Sequence, residues 1–142
     1  MWKMLWPALL IVLSNTFYNI AAKATPRQAN PFLSLTVTYL VGASAAFALF
    51  LALSPDRSVA AGLQKLNGTS LLLGVAIVGL EVGYLYFYRA GWDISVGPLV
   101  VNIALAVILL LLGALCYHER VTLRQAAGIA LCLAGMVLIN GK

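Results

Sequence analysis

The chain has 142 residues, of which 63% are hydrophobic and 9% are charged. A soluble domain carries about 25% charged residues, so this composition excludes a water-soluble protein and indicates an integral membrane protein. The net charge of +5 does not indicate nucleic-acid binding, because the basic residues are scattered singly between apolar runs and form no basic stripe.

Five apolar segments follow one another along the chain, and each approaches the ~20 residues that cross a ~30 Å hydrocarbon core. They cover about residues 5–22, 31–53, 70–89, 94–117 and 123–140. The sequence therefore predicts an all-α integral membrane protein, a bundle of five transmembrane helices that forms a single domain over residues 1–142. The start of the chain is similar to a signal peptide, but Asn15 and Asn19 interrupt its apolar core. We expect it to be retained as the first helix, with cleavage as the alternative.

Turn-forming residues separate the five segments. Prolines flank the first turn, residues 25–31, and a Ser-Pro-Asp-Arg sequence at 54–57 ends the second helix. The longest loop, residues 54–69, is expected to hold a short interfacial helix through Val59, Leu63 and Leu66. Residues 91–93 and 118–120 are predicted to break the chain before the fourth and fifth helices.

Basic residues are almost evenly divided between the two sides of this five-span topology. Five lie on one side (Lys3, Arg57, Lys65, Arg120 and Arg124) and four on the other (Lys23, Arg27, Arg89 and Lys142). Because an asymmetry in Lys and Arg sets membrane orientation, we expect this chain to insert in both orientations. The alternative is that charges at the helix ends fix one orientation.

Glu81 is the only acidic residue deep inside an apolar segment. It lies near the middle of the third segment, where a charge costs at least ~2.5 kcal/mol on insertion scales. Such residues usually face a cavity or the bundle interior and mark ion or substrate paths, so Glu81 is expected to be a cation or proton site. The structural alternative is a protonated or hydrogen-bonded Glu81 that only stabilises the bundle.

Further polar residues are expected to line the same site near the membrane midplane. Tyrosine rings bind organic cations through cation–π contacts, and phenols donate hydrogen bonds to a carboxylate. Interhelical hydrogen bonding explains the asparagines equally well, and an aromatic belt at the membrane interface explains Tyr88 better than a site does. The candidate site residues besides Glu81 are Tyr84, Tyr88, Ser14, Asn15 and Asn102.

The sequence shows no pattern of an enzyme. Cys116 and Cys132 have neither CxxC spacing nor a histidine partner, and packing explains them better than a disulfide or a metal. No metal-ligand cluster, nucleophile–base pair or phosphate loop is present in the sequence. No cofactor, metal or catalytic residue is therefore expected.

The last third of the chain carries a recognisable pattern. It consists of Tyr-Phe-Tyr-Arg-Ala-Gly at 86–91, Pro98, Glu-Arg-Val-Thr-Leu-Arg-Gln-Ala-Ala-Gly at 119–128, and Gly-Met-Val-Leu-Ile at 135–139. This pattern resembles the EamA-type repeat of the drug/metabolite transporter superfamily, most specifically in the Glu-Arg-x-Thr and Gln-x-x-Gly block. Glu119 of that block is expected to fix the turn and to cap the last helix.

The resemblance implies a half-size member. Full-length members carry two five-helix repeats of opposite orientation, so a single repeat should pair in antiparallel fashion with a second copy or with an oppositely oriented paralogue. Inverted repeats place the site near the midplane between the halves, at the depth of Glu81. The related small multidrug resistance proteins have an acidic residue in their first helix. Here that helix offers only Ser14 and Asn15, so their mechanism does not transfer.

The leading hypothesis is a secondary transporter of the inner cell membrane that exports a small metabolite or organic cation by alternating access, coupled to protons through Glu81. One alternative is a lipid-linked-sugar flippase subunit, in which Lys23 and Arg89 would matter for a phosphate. Another is a non-transporting accessory subunit. The expected partners are an antiparallel homodimer copy or the paralogue, membrane lipid and a small-molecule substrate, and no nucleic acid.

Overall fold

The computed structural model describes residues 2–120 and 122–140, so Lys142 of the charge count and Val121 of the Glu-Arg-x-Thr block lie outside it. Six helices cover most of the described chain. They are α1 (Trp2–Ala24), α2 (Pro31–Leu53), α3 (Val59–Gln64), α4 (Thr69–Arg89), α5 (Gly97–Cys116) and α6 (Leu123–Asn140). The short α3 is the predicted interfacial helix, although it ends before Leu66.

The lengths and surfaces of the other five helices fit a membrane. α1 from Leu5, α2, α4 and α5 are long and apolar enough to cross one, and α6 is a shorter apolar helix. The 18 residues of α6 extend about 27 Å at ~1.5 Å per residue, close to the ~30 Å of a hydrocarbon core. Apolar side chains cover the surface along these helices, as at Leu71 (77% exposed) and Leu131 (74% exposed). The predicted all-α membrane protein with five transmembrane helices is confirmed.

Local chemistry explains where the helices begin and end. Asn30 caps α2, because its side-chain oxygen accepts hydrogen bonds from the backbone N–H groups of Phe32 (3.0 Å) and Leu33 (3.1 Å). The break after α4 depends on Gly91, whose φ of 103° is a backbone conformation that favours glycine. Asp93 then begins the next turn, where its carbonyl accepts from the N–H of Gly97 at 2.8 Å.

The chain divides into two compact units. One comprises Met1–Ile20 and Gly91–Lys142, and the other comprises Ala21–Ala90. In the first unit α5 packs against α6, and in the second α2 packs against α4. Leu35 and Leu85 are buried in the second unit. The single domain over residues 1–142 stays a prediction.

The turn between α5 and α6 contains the most specific part of the sequence pattern. His118 adopts a left-handed conformation with φ of 52°, and the N–H of Glu119 then donates to the carbonyl of Gly113 at 2.9 Å. The Glu119 side chain lies against the same glycine, because a Cβ atom built there would be 2.7 Å from Oε2. Glu119 therefore fixes the turn, as predicted.

The cap of α6 comes from two other residues of the block. The Thr122 N–H and hydroxyl donate to the side-chain oxygen of Gln125 at 2.8 and 3.0 Å, and the N–H of Gln125 donates to the Thr122 hydroxyl at 3.3 Å. This reciprocal pair is a capping box. It corrects the expectation that Glu119 caps the last helix, and it gives the Thr-x-x-Gln spacing of the block a structural reason.

Candidate functional site

Glu81 lies on α4, in the second unit, with the apolar run of the helix on both sides. Its side chain is half-buried. Among residues 2–120 and 122–140, no group forms a hydrogen bond or ion pair with its carboxyl. The described residues therefore show no Tyr or Asn hydrogen bond to Glu81 of the kind that the structural alternative includes, and a protonated Glu81 stays a prediction of that alternative. In a low-dielectric region an unpaired carboxylate interacts strongly with any cation or proton that reaches it.

Tyr39 lies on α2, the helix that packs against α4, near enough to Glu81 for an electrostatic effect on its phenol. Its side chain is half-buried, and its phenol oxygen is buried without a hydrogen-bond partner in the described part of the chain. Sequence reasoning missed Tyr39. The available signal was its place deep inside the apolar run of α2, far from either membrane interface. Glu81 and Tyr39 thus place one acidic and one hydroxylic group on two helices that pack against each other, α4 and α2.

An aromatic cluster follows Glu81 along α4. The rings of Tyr84 and Tyr88 are 6.1 Å apart, and Phe87 packs edge-on against both, at 6.3 and 5.8 Å. Tyr84 and Tyr88 therefore lie on the same side of α4. Tyr88 is only 5% exposed, whereas an interface-belt tyrosine points toward lipid headgroups.

Lys23, at the end of α1, places its ammonium nitrogen 5.7 Å from the centre of the Tyr88 ring. This distance is within the range of a cation–π contact. The Lys23 residue as a whole is exposed. The contact shows that this aromatic cluster accepts a positively charged group.

Arg89, the last residue of α4, closes the turn between α1 and α2. Its guanidinium Nη2 donates to the carbonyls of Ala29 at 2.7 Å and Pro26 at 3.4 Å. Its carbon also lies 5.9 Å from the Tyr86 ring centre. The Arg89 side chain is thus bound to backbone groups of the turn between α1 and α2.

The remaining candidates lie in the first unit. Asn15 lines a groove of about 540 Å³. Ser14, Asn15 and Asn102 are all exposed, and Ser14 and Asn102 are not among the residues that line the groove. The groove is lined by Val12, Asn15, Thr16, Asn19, Ile20, Ile94 and Pro98.

Asn19 is a second residue that sequence reasoning missed as a site residue. It is only 6% exposed, and its side-chain amide donates to both the backbone carbonyl and the side-chain oxygen of Asn15, at 2.7 and 2.8 Å. The spacing of four residues on one helix was the signal that could have found it.

The structure thus assigns the predicted site residues to two groups. Glu81, Tyr84 and Tyr88 belong to the second unit. Ser14, Asn15 and Asn102 belong to the first. Their convergence on one cavity stays a prediction. Within the described ranges no three His, Cys, Asp or Glu side chains come together as a metal site.

Comparison with known proteins identifies the family. No curated protein and no solved structure matches the chain significantly. The sequence profile of the EamA-like transporter family matches residues 2–141, which is nearly the whole chain. Together with the five membrane helices, this match shows that the chain is a multi-pass membrane protein of the EamA-like transporter family.

Proposed function

We propose that the protein is a half-size secondary transporter that exchanges protons for a small metabolite or organic cation at Glu81, as an antiparallel dimer in the inner cell membrane. The observation that carries the proposal is the carboxyl group of Glu81 on a membrane helix, which has no hydrogen-bond or ion-pair partner among the described residues. Tyr39, whose phenol oxygen is buried and also lacks a described partner, lies on the helix that packs against α4. Family membership supports transport in general. The substrate, the coupling and the dimer are the proposed part.

Coupling follows from the cost of an empty charged site. A bare carboxylate at membrane depth costs at least ~2.5 kcal/mol, so a site that changes the side it faces does so most readily when Glu81 is neutralised. A bound proton and a bound cation both neutralise it. If only these two filled states change sides, each cation that leaves is replaced by a proton that enters, which is alternating-access exchange.

The aromatic cluster suits the cationic partner. A cation over a tyrosine ring gains about 0.5–2 kcal/mol, more when it is desolvated, and Tyr84 offers such a ring one helical turn from Glu81. Lys23 already occupies a position over Tyr88. We expect Lys23 to compete with a bound organic cation for that ring and so to favour its release.

The pairing of two chains rests on the charge count. Five basic residues against four leave the chain almost unbiased in orientation. An antiparallel pair then contains two copies of Glu81 at matching depth. A reporter fused to the C-terminus, active on one side of the membrane only, tests this arrangement. Signal from both sides is expected, whereas signal from one side only points to an oppositely oriented partner chain.

The decisive experiment measures proton movement in proteoliposomes. A pH-sensitive dye inside the vesicles reports protons that move when methyl viologen or ethidium is added outside. Glu81→Gln keeps the size of the side chain and removes its charge, so cation-driven proton movement is expected to fall at least ~10-fold. Glu119→Gln is the matched control, because Glu119 fixes a turn, and its proton movement is expected to stay within twofold of the unmodified protein. Unchanged pH dependence in Glu81→Gln contradicts the mechanism.

Lipid-linked sugars are the competing substrate class. A phosphate would need Lys23 and Arg89, but the Arg89 guanidinium already donates to Ala29 and Pro26. Adding a polyprenyl phosphate to the same vesicles separates the two. We expect organic cations, and not the polyprenyl phosphate, to inhibit the exchange. Inhibition by the phosphate alone would favour the flippase.

A further inference from the structure

The groove around Asn15 differs from the Glu81 site in the chemical character of its lining side chains. Among the described residues that line it none is charged; they are aliphatic side chains, a proline, a threonine and two asparagines. Its volume of about 540 Å³ lies within the ~300–1,000 Å³ of ordinary small-molecule sites. The groove belongs to the first unit alone, so its occupant must be recognised by these neutral groups.

The hydrogen bonds along α1 determine which polar atoms remain for an occupant. Both oxygens of Asn15, backbone and side chain, already accept from the Asn19 amide. The hydroxyl of Thr16 donates to the backbone carbonyl of Val12 at 2.8 Å. The side-chain amide nitrogen of Asn15 makes no hydrogen bond to the described residues. The Asn15 amide nitrogen therefore offers a pair of N–H donors to the groove, and the hydroxyl oxygen of Thr16 can still accept a hydrogen bond.

These donors are held in a fixed direction. The hydrogen bond from Asn19 to the side-chain oxygen of Asn15 orients the amide plane of Asn15. Asn19 itself is only 6% exposed. Hydrocarbon supplies no acceptor for an N–H group, and each unsatisfied group there costs several kcal/mol. A donor oriented in this way and left unsatisfied needs an acceptor from outside the chain.

We infer that this groove binds an uncharged, largely apolar solute through a carbonyl or ester oxygen, with Asn15 as the hydrogen-bond donor and Asn19 as the residue that positions it. The inference rests on the proposed function only in treating the occupant as a transported solute. It adds the Asn15–Asn19 pair as a recognition element for the uncharged part of the substrate, separate from the carboxylate at Glu81. A helix of a second copy that hydrogen-bonds to Asn15 is the competing explanation.

Benzophenone tests this directly, because it is apolar, carries one acceptor oxygen and labels nearby C–H groups on illumination. The excited carbonyl takes a hydrogen atom from a side chain, and the two carbon radicals join, which leaves a tertiary alcohol on the protein. Peptide mass spectrometry of the purified full-length protein then locates the label. We expect labelling on Val12, Ile20 or Ile94 at least ~5-fold above that on the exposed leucines of α4 at 71–73.

Two competitors separate recognition of the acceptor from partition into an apolar surface. Phenyl benzoate has an ester oxygen and no donor, whereas diphenylmethane has a similar shape and no acceptor. We expect phenyl benzoate to reduce groove labelling several-fold and diphenylmethane to leave it unchanged. Equal competition by both, or labelling no stronger than on α4, overturns the inference without requiring any variant to fold.

Variants then identify the donor. Asn15→Leu is expected to reduce groove labelling to the α4 background, and Asn19→Ala to reduce it about threefold, while Ser44→Ala on α2 leaves it unchanged. Unchanged labelling in Asn15→Leu overturns the inference. If Asn15→Leu instead no longer cross-links as a dimer but keeps its groove labelling, Asn15 binds the second copy, and the inference is overturned as well. In Glu81→Gln, groove labelling is expected to persist. If Glu81→Gln loses proton coupling but the unmodified protein shows no groove labelling, this inference alone is refuted. If the unmodified protein shows groove labelling but Glu81→Gln keeps its proton coupling, the proposed function alone is refuted.

Discussion

The substitution Tyr39→Phe tests two effects of the Tyr39 hydroxyl group separately: its effect on the stability of the protein and its effect on transport. The phenol oxygen of Tyr39 is buried and has no hydrogen-bond partner among the described residues. A buried hydroxyl without a partner costs about 1–3 kcal/mol, so removing it is expected to stabilise the protein by about 1 kcal/mol, which is roughly a fivefold gain in the folding equilibrium constant. The ring stays in place, and the packing between α2 and α4 is therefore kept.

Transport is expected to change in the opposite direction. If the phenol hydrogen-bonds to Glu81 or to its ligand during exchange, a bond to a charged group worth about 1.5–3 kcal/mol is lost. That loss corresponds to a fall of at least ~10-fold in proton movement, because ~1.4 kcal/mol is a factor of ten. Tyr86→Phe is the matched control, since Tyr86 lies on α4 and is 51% exposed; neither property should change there.

The assays are an SDS titration of the protein in bicelles, followed by tryptophan fluorescence, and the dye measurement in proteoliposomes. A loss of stability in Tyr39→Phe would mean that the phenol has a partner in the native protein. A gain in stability with unchanged transport would remove Tyr39 from the exchange mechanism. Either result would refute the reasoning from the orphaned phenol.

Two further predictions concern the framework of the site. Thr122→Ala removes the capping box of α6 and is expected to lower the free energy of unfolding by about 1 kcal/mol in the same SDS titration. The control is Thr38→Ala, because the Thr38 hydroxyl donates to the Ser34 carbonyl of its own helix, and its loss should be less than half as large. Equal losses would contradict the cap. Gly91→Ala forces a Cβ onto a backbone with φ of 103° and is expected to cost about 1–2 kcal/mol. Gly79→Ala meets nothing within 4 Å and should be neutral or stabilising, so a larger loss at Gly79 would refute the strain argument.

The sequence predicted the helices well, because apolar length alone identifies a membrane span. Proline, glycine and asparagine then placed their ends, as at Asn30 and Gly91. Glu81 was predictable for the same reason, since one carboxylate in an apolar run stands out from its neighbours. The side chains that Glu81 contacts could not be predicted in the same way.

Neighbours across helices were not predictable. α2 is apolar on all sides, so no amphipathic stripe indicates which face packs against α4, and Tyr39 could not be assigned to Glu81. Asn19 illustrates a different limit. Its spacing from Asn15 predicts contact, but which face of α1 is covered depends on packing that the sequence pattern does not specify. For Glu119 the predicted place in the turn was right and the predicted cap of α6 was wrong, because the resemblance supplied the motif but not its hydrogen bonds.

The Arg89 bond to Ala29 has a consequence for biosynthesis. The two residues are 60 positions apart, so the turn between α1 and α2 emerges from the ribosome long before the side chain that closes it. At ~5–20 residues per second, the interval is roughly 3–12 s. The first helical hairpin therefore enters the membrane without its latch. We expect its direction of insertion to respond, throughout that interval, to charges that are synthesised later, such as Arg57 and Lys65.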